Sequence, residues 1–374
     1  MKKNDFFIII SFFGIIFLFF VGSILKEDVK LSEQENRVLA QKPEMTCETL
    51  LSGAFPKNYE TYLSEQFLCR NQLITLHSFA ELTFQKKEIN NIYYGKNGYL
   101  FERQEREKEQ IKKNTEYVKC FVDKYQKQVE DVSILLIPDK AEVLTEHLPS
   151  YYPFVNDEKQ IMQIYESCES ANTISIFEIM MQNKDEEPLF YKTDHHWTSY
   201  GSYLAYEQWK LEKQEEPKRL DTMKKVLLTE NFRGTLESKT NLAFAQDTIW
   251  CYEAGETETS YTICYDETHE ANSYLEPDKL KTKDKYSVFF GGNYGKVEIN
   301  TSVSNGKRLL VIKDSFANAF VPFLLDEYEE IIMIDLRYYN QSMEKLLDES
   351  EFTEVLIIYS MNEFSKTDLY KLVV

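Results

Sequence analysis

The stretch "VSILLIP" (132–138) decides the fold. It is short, continuously apolar and closed by a proline. A strand covered on one face alternates apolar and polar residues, whereas a parallel strand buried on both faces does not. Three later runs have the same character: "RLLVIKDS" (308–315), "EIIMIDL" (330–336) and "EVLIIYS" (354–360). Helical segments follow the first two. Strands alternating with helices predict a doubly wound α/β domain with a mostly parallel sheet.

Outward from these strands the chain divides into expected regions. "YYGKNGYLF" (93–101) places Gly95 and Gly98 between aromatic residues, a hairpin signal, and a charged helix is expected over 104–129. Residues 47–90 carry helical spacing, with Leu50, Leu51, Tyr59, Tyr62, Leu63 and Phe67 as an apolar face. Residues 214–286 break the rhythm with charge and turns and read as a β-rich insertion over the sheet edge. Residues 27–46 read as a linker, and 47–374 as one domain.

The N-terminus is nearly unbroken apolar sequence from Phe6 to Leu25, behind Lys2 and Lys3. Roughly 20 such residues span a bilayer. The positive-inside rule places residues 1–26 as a cytosolic tip and transmembrane anchor, with the remainder outside the cell. Cleavage as a signal peptide, followed by secretion, is the competing reading. Six cysteines (Cys47, Cys69, Cys120, Cys168, Cys251 and Cys264) occur without a CxxC pair. In an exported chain they are expected to form disulfides, Cys251–Cys264 first, because the residues between them read as a hairpin. A net charge of −19 over 374 residues argues against nucleic acid as partner.

Ligands of open α/β sheets bind at the carboxyl ends of strands. "VIKDSFANAFVPFL" (311–324) puts Ser315 there, at the entry to an expected amphipathic helix. A serine so placed suits a nucleophile, although an ordinary N-cap serine has the same sequence setting. The second reactive stretch is "TDHHWTSYGSYLAY" (193–206), with Thr198 as N-cap. Asp194 and His196 are one residue apart, so the carboxylate can hold the imidazole through Nδ1–H and free Nε2 to accept the Ser315 proton. Asp194, His195 and His196 are too close in sequence to converge comfortably on zinc, and His77, His147 and His269 sit in no ligand spacing. No metal and no cofactor is therefore expected. The aspartate runs of Asp-His-His phosphoesterases are absent as well.

Together these residues carry a resemblance. "TDHHWTSYGSYLAY", with "ENRVLAQKP" (35–43), "NIYYGKNGYLFE" (91–102), "LIPDKAEVLTEHLP" (136–149), "NFRGTL" (231–236), "FFGGNYG" (289–295) and "VIKDSFANAFVPFL", resembles the DHHW protein family, which is similar to the alginate O-acetyltransferases AlgJ and AlgX. The resemblance covers nearly the whole chain past the anchor. It implies an SGNH-hydrolase-like three-layer α/β/α fold in which the Asp-His pair precedes the serine. Carried over, Asp194 is the orienting acid, His196 the general base and Ser315 the nucleophile. Lys313 stands where many SGNH serines have glycine two residues upstream.

The family's oxyanion hole implies Gly292 and Asn293 from "GGN" (291–293) as donors beside the serine N–H. Arg337 and Lys140, each following a strand, are candidate substrate contacts, and His195 either packs locally or joins them. The implied activity is O-acetyl transfer to a cell-surface or secreted polysaccharide, with a carbohydrate acetyl esterase as the near alternative. A non-catalytic surface carbohydrate-binding or assembly protein is the alternative of another class. An integral membrane acyl-transfer partner is implied by the transferase reading alone.

Overall fold

A computed structural model describes residues 3–32, 37–242, 244–253 and 259–374. Lys2 and the first two residues of "ENRVLAQKP" lie outside them. The chain forms two compact units, Met1–Ile89 with Ser238–Leu242, and Asn90–Glu237 with Ala243–Val374.

In the first unit an apolar helix, Lys3–Leu25, is followed by helices Cys47–Leu51, Ala54–Glu65 and Arg70–Thr83. Residues Asp5–Leu25 are long and apolar enough to cross a membrane. The Gln66 side chain gathers the connecting segment, accepting from Val29 N at 3.0 Å and donating to the carbonyls of Val29 (2.8 Å) and Ala40 (3.1 Å). The three later helices bear the expected spacing, but their apolar face is not buried. Leu50, Leu51, Leu63 and Phe67 are exposed, and Ser78 is the one buried residue among the three helices.

The second unit is built on an eight-stranded sheet. Its strands in chain order are β1 (Asp131–Ile137), β2 (Asn172–Ile174), β3 (Tyr261–Tyr265), β4 (His269–Ala271), β5 (Lys296–Thr301), β6 (Arg308–Lys313), β7 (Glu330–Ile334) and β8 (Glu354–Ser360). Across the sheet they run β4-β3-β5-β7-β6-β8-β1-β2. The pairings from β7 to β2 are parallel, and those from β7 back to β4 are antiparallel. The sheet is therefore mixed, with four parallel and three antiparallel pairings, and is less uniformly parallel than expected.

The apolar runs explain its centre. Leu135, Val311 and Leu356 face one core, while Leu136, Leu310 and Val355 face the other. Helix Ser199–Glu212 packs in the first core; helices Lys108–Tyr125, Asp157–Ser167 and Met343–Glu349 pack in the second. Each such side chain contributes about 1.5–3 kcal/mol by leaving water. That is why these strands lack alternation.

Residues 214–286 are β-rich and reach the sheet edge. They supply an antiparallel ribbon, Lys224–Phe232 with Asp247–Glu253, and then β3 and β4, which extend the main sheet. This also corrects the cysteine pairing. Cys251 lies in the ribbon and Cys264 on β3, so the two strands take different partners instead of closing a hairpin, and all six cysteines are free. Residues 254–258, between them, lie outside the described ones.

Candidate active site

A tight loop carries the acid and the histidine. Phe190 bridges Trp197, Tyr191 N donates to His196 O (3.1 Å), and Thr198 N donates to Leu189 O (2.8 Å). Thr198 caps the next helix as expected, accepting from Gly201 N at 3.2 Å. A Cβ at Gly201 would fall 2.3 Å from Leu189 O, so a residue without a side chain is required where the helix crosses the loop.

Within the loop, Asp194 Oδ1 accepts from His196 Nδ1 at 2.6 Å and from His196 N at 3.0 Å. Oδ2 accepts from Thr235 N at 2.7 Å and Thr235 Oγ1 at 3.0 Å. Burial opposes charge on this carboxylate, but the adjacent imidazoles of His195 and His196 and the donated hydrogen bonds hold it well below the usual range. The carboxylate holds the proton on Nδ1, so Nε2 is the acceptor that faces Ser315 Oγ, at 2.7 Å. Tyr286 stacks on the imidazole, with centroids 3.7 Å apart and planes at 11°, and its hydroxyl donates to Ser315 O at 3.2 Å.

Ser315 sits in a turn beyond β6. Asp314 shapes that turn, accepting from Phe316 N (2.9 Å) and from Ser360 N at the end of β8 (2.8 Å). The expected amphipathic helix is a single buried turn, Ala317–Phe320, passing into a 3₁₀ turn at Val321–Leu324. Pro322 lacks the N–H needed to continue an α-helix. Trp197 Nε1 donates to Phe316 O at 2.9 Å and so joins the histidine loop to the serine turn. Among the described residues, no protein acceptor takes the Ser315 N–H.

Gly292 and Asn293 are tied to the residues flanking this turn, Lys313 and Asn318, and the Gly292 N–H is already engaged. Gly292 N donates to Phe289 O at 3.3 Å, and its carbonyl accepts from Asn318 Nδ2 at 3.1 Å. Asn293 Oδ1 accepts from Lys313 Nζ (3.2 Å) and Asn318 Nδ2 (3.3 Å). Lys313 Nζ also donates to Asn318 Oδ1 at 2.7 Å, and burial pushes this amine down to about 8. The departure from glycine at position 313 thus organises the segment that holds both candidates.

The remaining candidates fall out differently. Lys140 is 3% exposed and donates to the carbonyls of Tyr191 (3.1 Å), Lys192 (3.3 Å) and Asp194 (2.8 Å). It braces the acid loop from within, and removing it strands three carbonyls at about 1–3 kcal/mol each. Arg337 forks onto Asp335 at 2.9 and 2.7 Å and reaches Glu363 at 3.1 Å. His195 shares Thr235 Oγ1 at 2.8 Å and, with Phe316, lines a narrow cleft of ≈ 20 Å³. Ligand atoms of Asp194, His195 and His196 lie within 4.8 Å of one another, yet both oxygens of Asp194 are already engaged by N–H and O–H donors.

The residues missed in the sequence come from "NFRGTL" and its surroundings. Thr235 holds Asp194. Gly234 lets the chain approach, since a Cβ there would lie 2.2 Å from Asp194 Cβ. Asp247 holds the loop one residue earlier, accepting from Lys192 N (2.7 Å), Thr193 N (2.8 Å) and Thr193 Oγ1 (2.6 Å). The only available signal was the motif itself, without a role attached.

Comparison with known proteins places this geometry in a family. The crystal structure of a DHHW family protein from Eubacterium siraeum is 23% identical, with a TM-score of 0.64 over 76% of this chain and 95% of that one. The structure of Bacillus cereus PatB1 with a sulfonyl adduct is 19% identical, with a TM-score of 0.62 over 76% of this chain and 99% of the other. These likenesses establish the shared α/β fold. Probable alginate O-acetylase AlgJ of Pseudomonas putida is 23% identical over 164 residues, 42% of this chain. The chain spans 43% of the length of that curated relative. Residues 108–334 match the DHHW protein family across more than half of the sequence, and the chain belongs to that family.

Proposed function

We propose that the chain is an extracytoplasmic O-acetyltransferase that modifies hydroxyl groups of a cell-surface or secreted polysaccharide. The observation carrying this reading is the line Asp194–His196–Ser315, with its 2.6 and 2.7 Å hydrogen bonds. Ser315 Oγ attacks the carbonyl carbon of an acetyl donor while His196 Nε2 takes the hydroxyl proton. The unspent Ser315 N–H, with a donor from the Gly292–Asn293 segment, receives the charge that develops on the carbonyl oxygen. Collapse expels the donor's leaving group, which takes the proton from His196, and leaves acetyl-Ser315. A sugar hydroxyl then attacks this ester, passes its proton to His196, and departs acetylated as Ser315 regains its own.

Similarity to a protein named as an alginate O-acetylase supports the transfer chemistry and the polysaccharide acceptor. The apolar helix Lys3–Leu25 supports a membrane-anchored chain with its SGNH-like catalytic domain outside the cell. Acetyl groups there require delivery by an integral membrane acyl-transfer partner.

The test is turnover of a chromogenic acetyl ester with and without an oligosaccharide acceptor. Ser315→Ala is expected to lower kcat on the order of 10⁶-fold, toward background. Acetyl release equal with and without acceptor identifies an esterase instead. No release and no transfer by the wild-type chain refutes both enzyme readings and leaves a binding protein.

A further inference from the structure

We propose that the helix Arg70–Thr83 is a second membrane contact, lying with its outer face in the lipid interface. This rests on the reading of Lys3–Leu25 as an uncleaved anchor. On that reading, the 21 residues Asp5–Leu25 rise about 31 Å, the thickness of the hydrocarbon layer.

Three contacts fix where the later helix begins along this anchor. The Phe67 ring stacks on Phe19, with centroids 5.7 Å apart and planes at 8°. Leu68 N donates to Ser23 Oγ at 3.2 Å, and the Leu68 side chain lies against Gly22, where a Cβ would clash at 2.5 Å. Phe19 precedes the end of the anchor helix by six residues (25 − 19), about 9 Å of rise. Phe67 therefore sits about 9 Å below the outer edge of the apolar layer, and Leu68, against Gly22 and Ser23, about 3–5 Å below it, near the depth typical of interfacial helices. Cys69, at φ 56°, turns the chain directly into Arg70–Thr83.

That helix divides into two unlike faces. Its inner side holds the partly buried Ile74, Thr75 and Leu82 and the buried Ser78, whose hydroxyl donates to Thr240 O at 2.8 Å. Its outer face carries Leu73, Leu76 and Phe79 at successive turns and continues into Phe84, which are 38, 63, 60 and 84% exposed. Among the described residues, these side chains join no hydrophobic core, and helices Cys47–Leu51 and Ala54–Glu65 bury no residue either. An apolar stripe that begins at membrane depth and stays this exposed is matched by acyl chains. Lys86 and Lys87 follow immediately, where cations reach the headgroups.

The experiment uses the full-length chain in vesicles of phosphatidylcholine and phosphatidylglycerol containing an acyl-chain diazirine phosphatidylcholine, with labelled peptides read by mass spectrometry. Label is expected over residues 73–84 as well as 5–25. The double variant Leu76→Glu, Phe79→Glu should lower label at 73–84 by about 5-fold or more and leave that at 5–25 unchanged. Label confined to 5–25 overturns the proposal while leaving the anchor intact. Label in neither segment overturns the anchor and this inference together.

Discussion

Asp194 and Ser315 flank one imidazole but are held by different means. The acid is enclosed: two donors on each carboxylate oxygen, a lysine on its carbonyl, and a glycine pressed against its Cβ. Apart from His196, these partners come from distant parts of the chain, at 140, 234 and 235. The serine depends mainly on its own neighbourhood, a strand end and a turn tied to β8, with an N–H left unspent. The difference teaches that orientation is supplied on the acid side, while capacity to receive new charge is kept on the serine side.

The strongest way to break this contrast is Asp194→Asn. It preserves shape but reverses the hydrogen-bond role facing Nδ1, and kcat for a chromogenic acetyl ester should fall on the order of 10⁴-fold. A fall under about 10-fold would mean that the enclosure is scaffolding only. Next comes Gly234→Ala, whose added methyl must displace the carboxylate. A shift of about 1 Å at such a site costs on the order of 10²-fold in kcat. Thr235→Val removes one of the two bonds to Oδ2 and should cost about 10-fold, with KM little changed.

How much of this was legible follows from the kind of interaction involved. Aspartate, histidine and serine at a strand end have few chemical roles, so their spacing was readable before any geometry. The double-sided burial of β1, β6, β7 and β8 was equally plain from unbroken apolar runs. Gly234 was not, because its importance is a distance to a residue forty positions earlier. Lys140 was half readable for a related reason: its place after β1 pointed to the cleft, which it lines beside His195, but nothing in the sequence showed its amine turned to three carbonyls. The mixed sheet and the unpaired cysteines share one cause, since β3 chooses β4 and β5 over the ribbon strand that precedes it.

The smallest effect probes the serine side through pH. Burial pushes the Lys313 amine down to about 8, against about 10.4 in an unfolded chain. Between those values the unfolded chain holds more protons, so the lysine's contribution to stability rises with pH across that window. Urea midpoints taken at about pH 8 and about pH 9.5 should therefore climb more in the wild type than in Lys313→Met. Equal changes in both would place the amine outside the buried network.

The Tyr286 ring has a kinetic consequence. With a phenol 3.7 Å from one face of His196, and His195 and Phe316 at 4.0 and 5.0 Å, the imidazole has no room to rotate between half-reactions. In the transferase proposed above, acylation and deacylation then use one nitrogen in one orientation, as a single docking station for every proton. Donor and acceptor would take turns at the same flank. The kinetic order expected of that proposal is ping-pong, with each substrate inhibiting by occupying the other's berth.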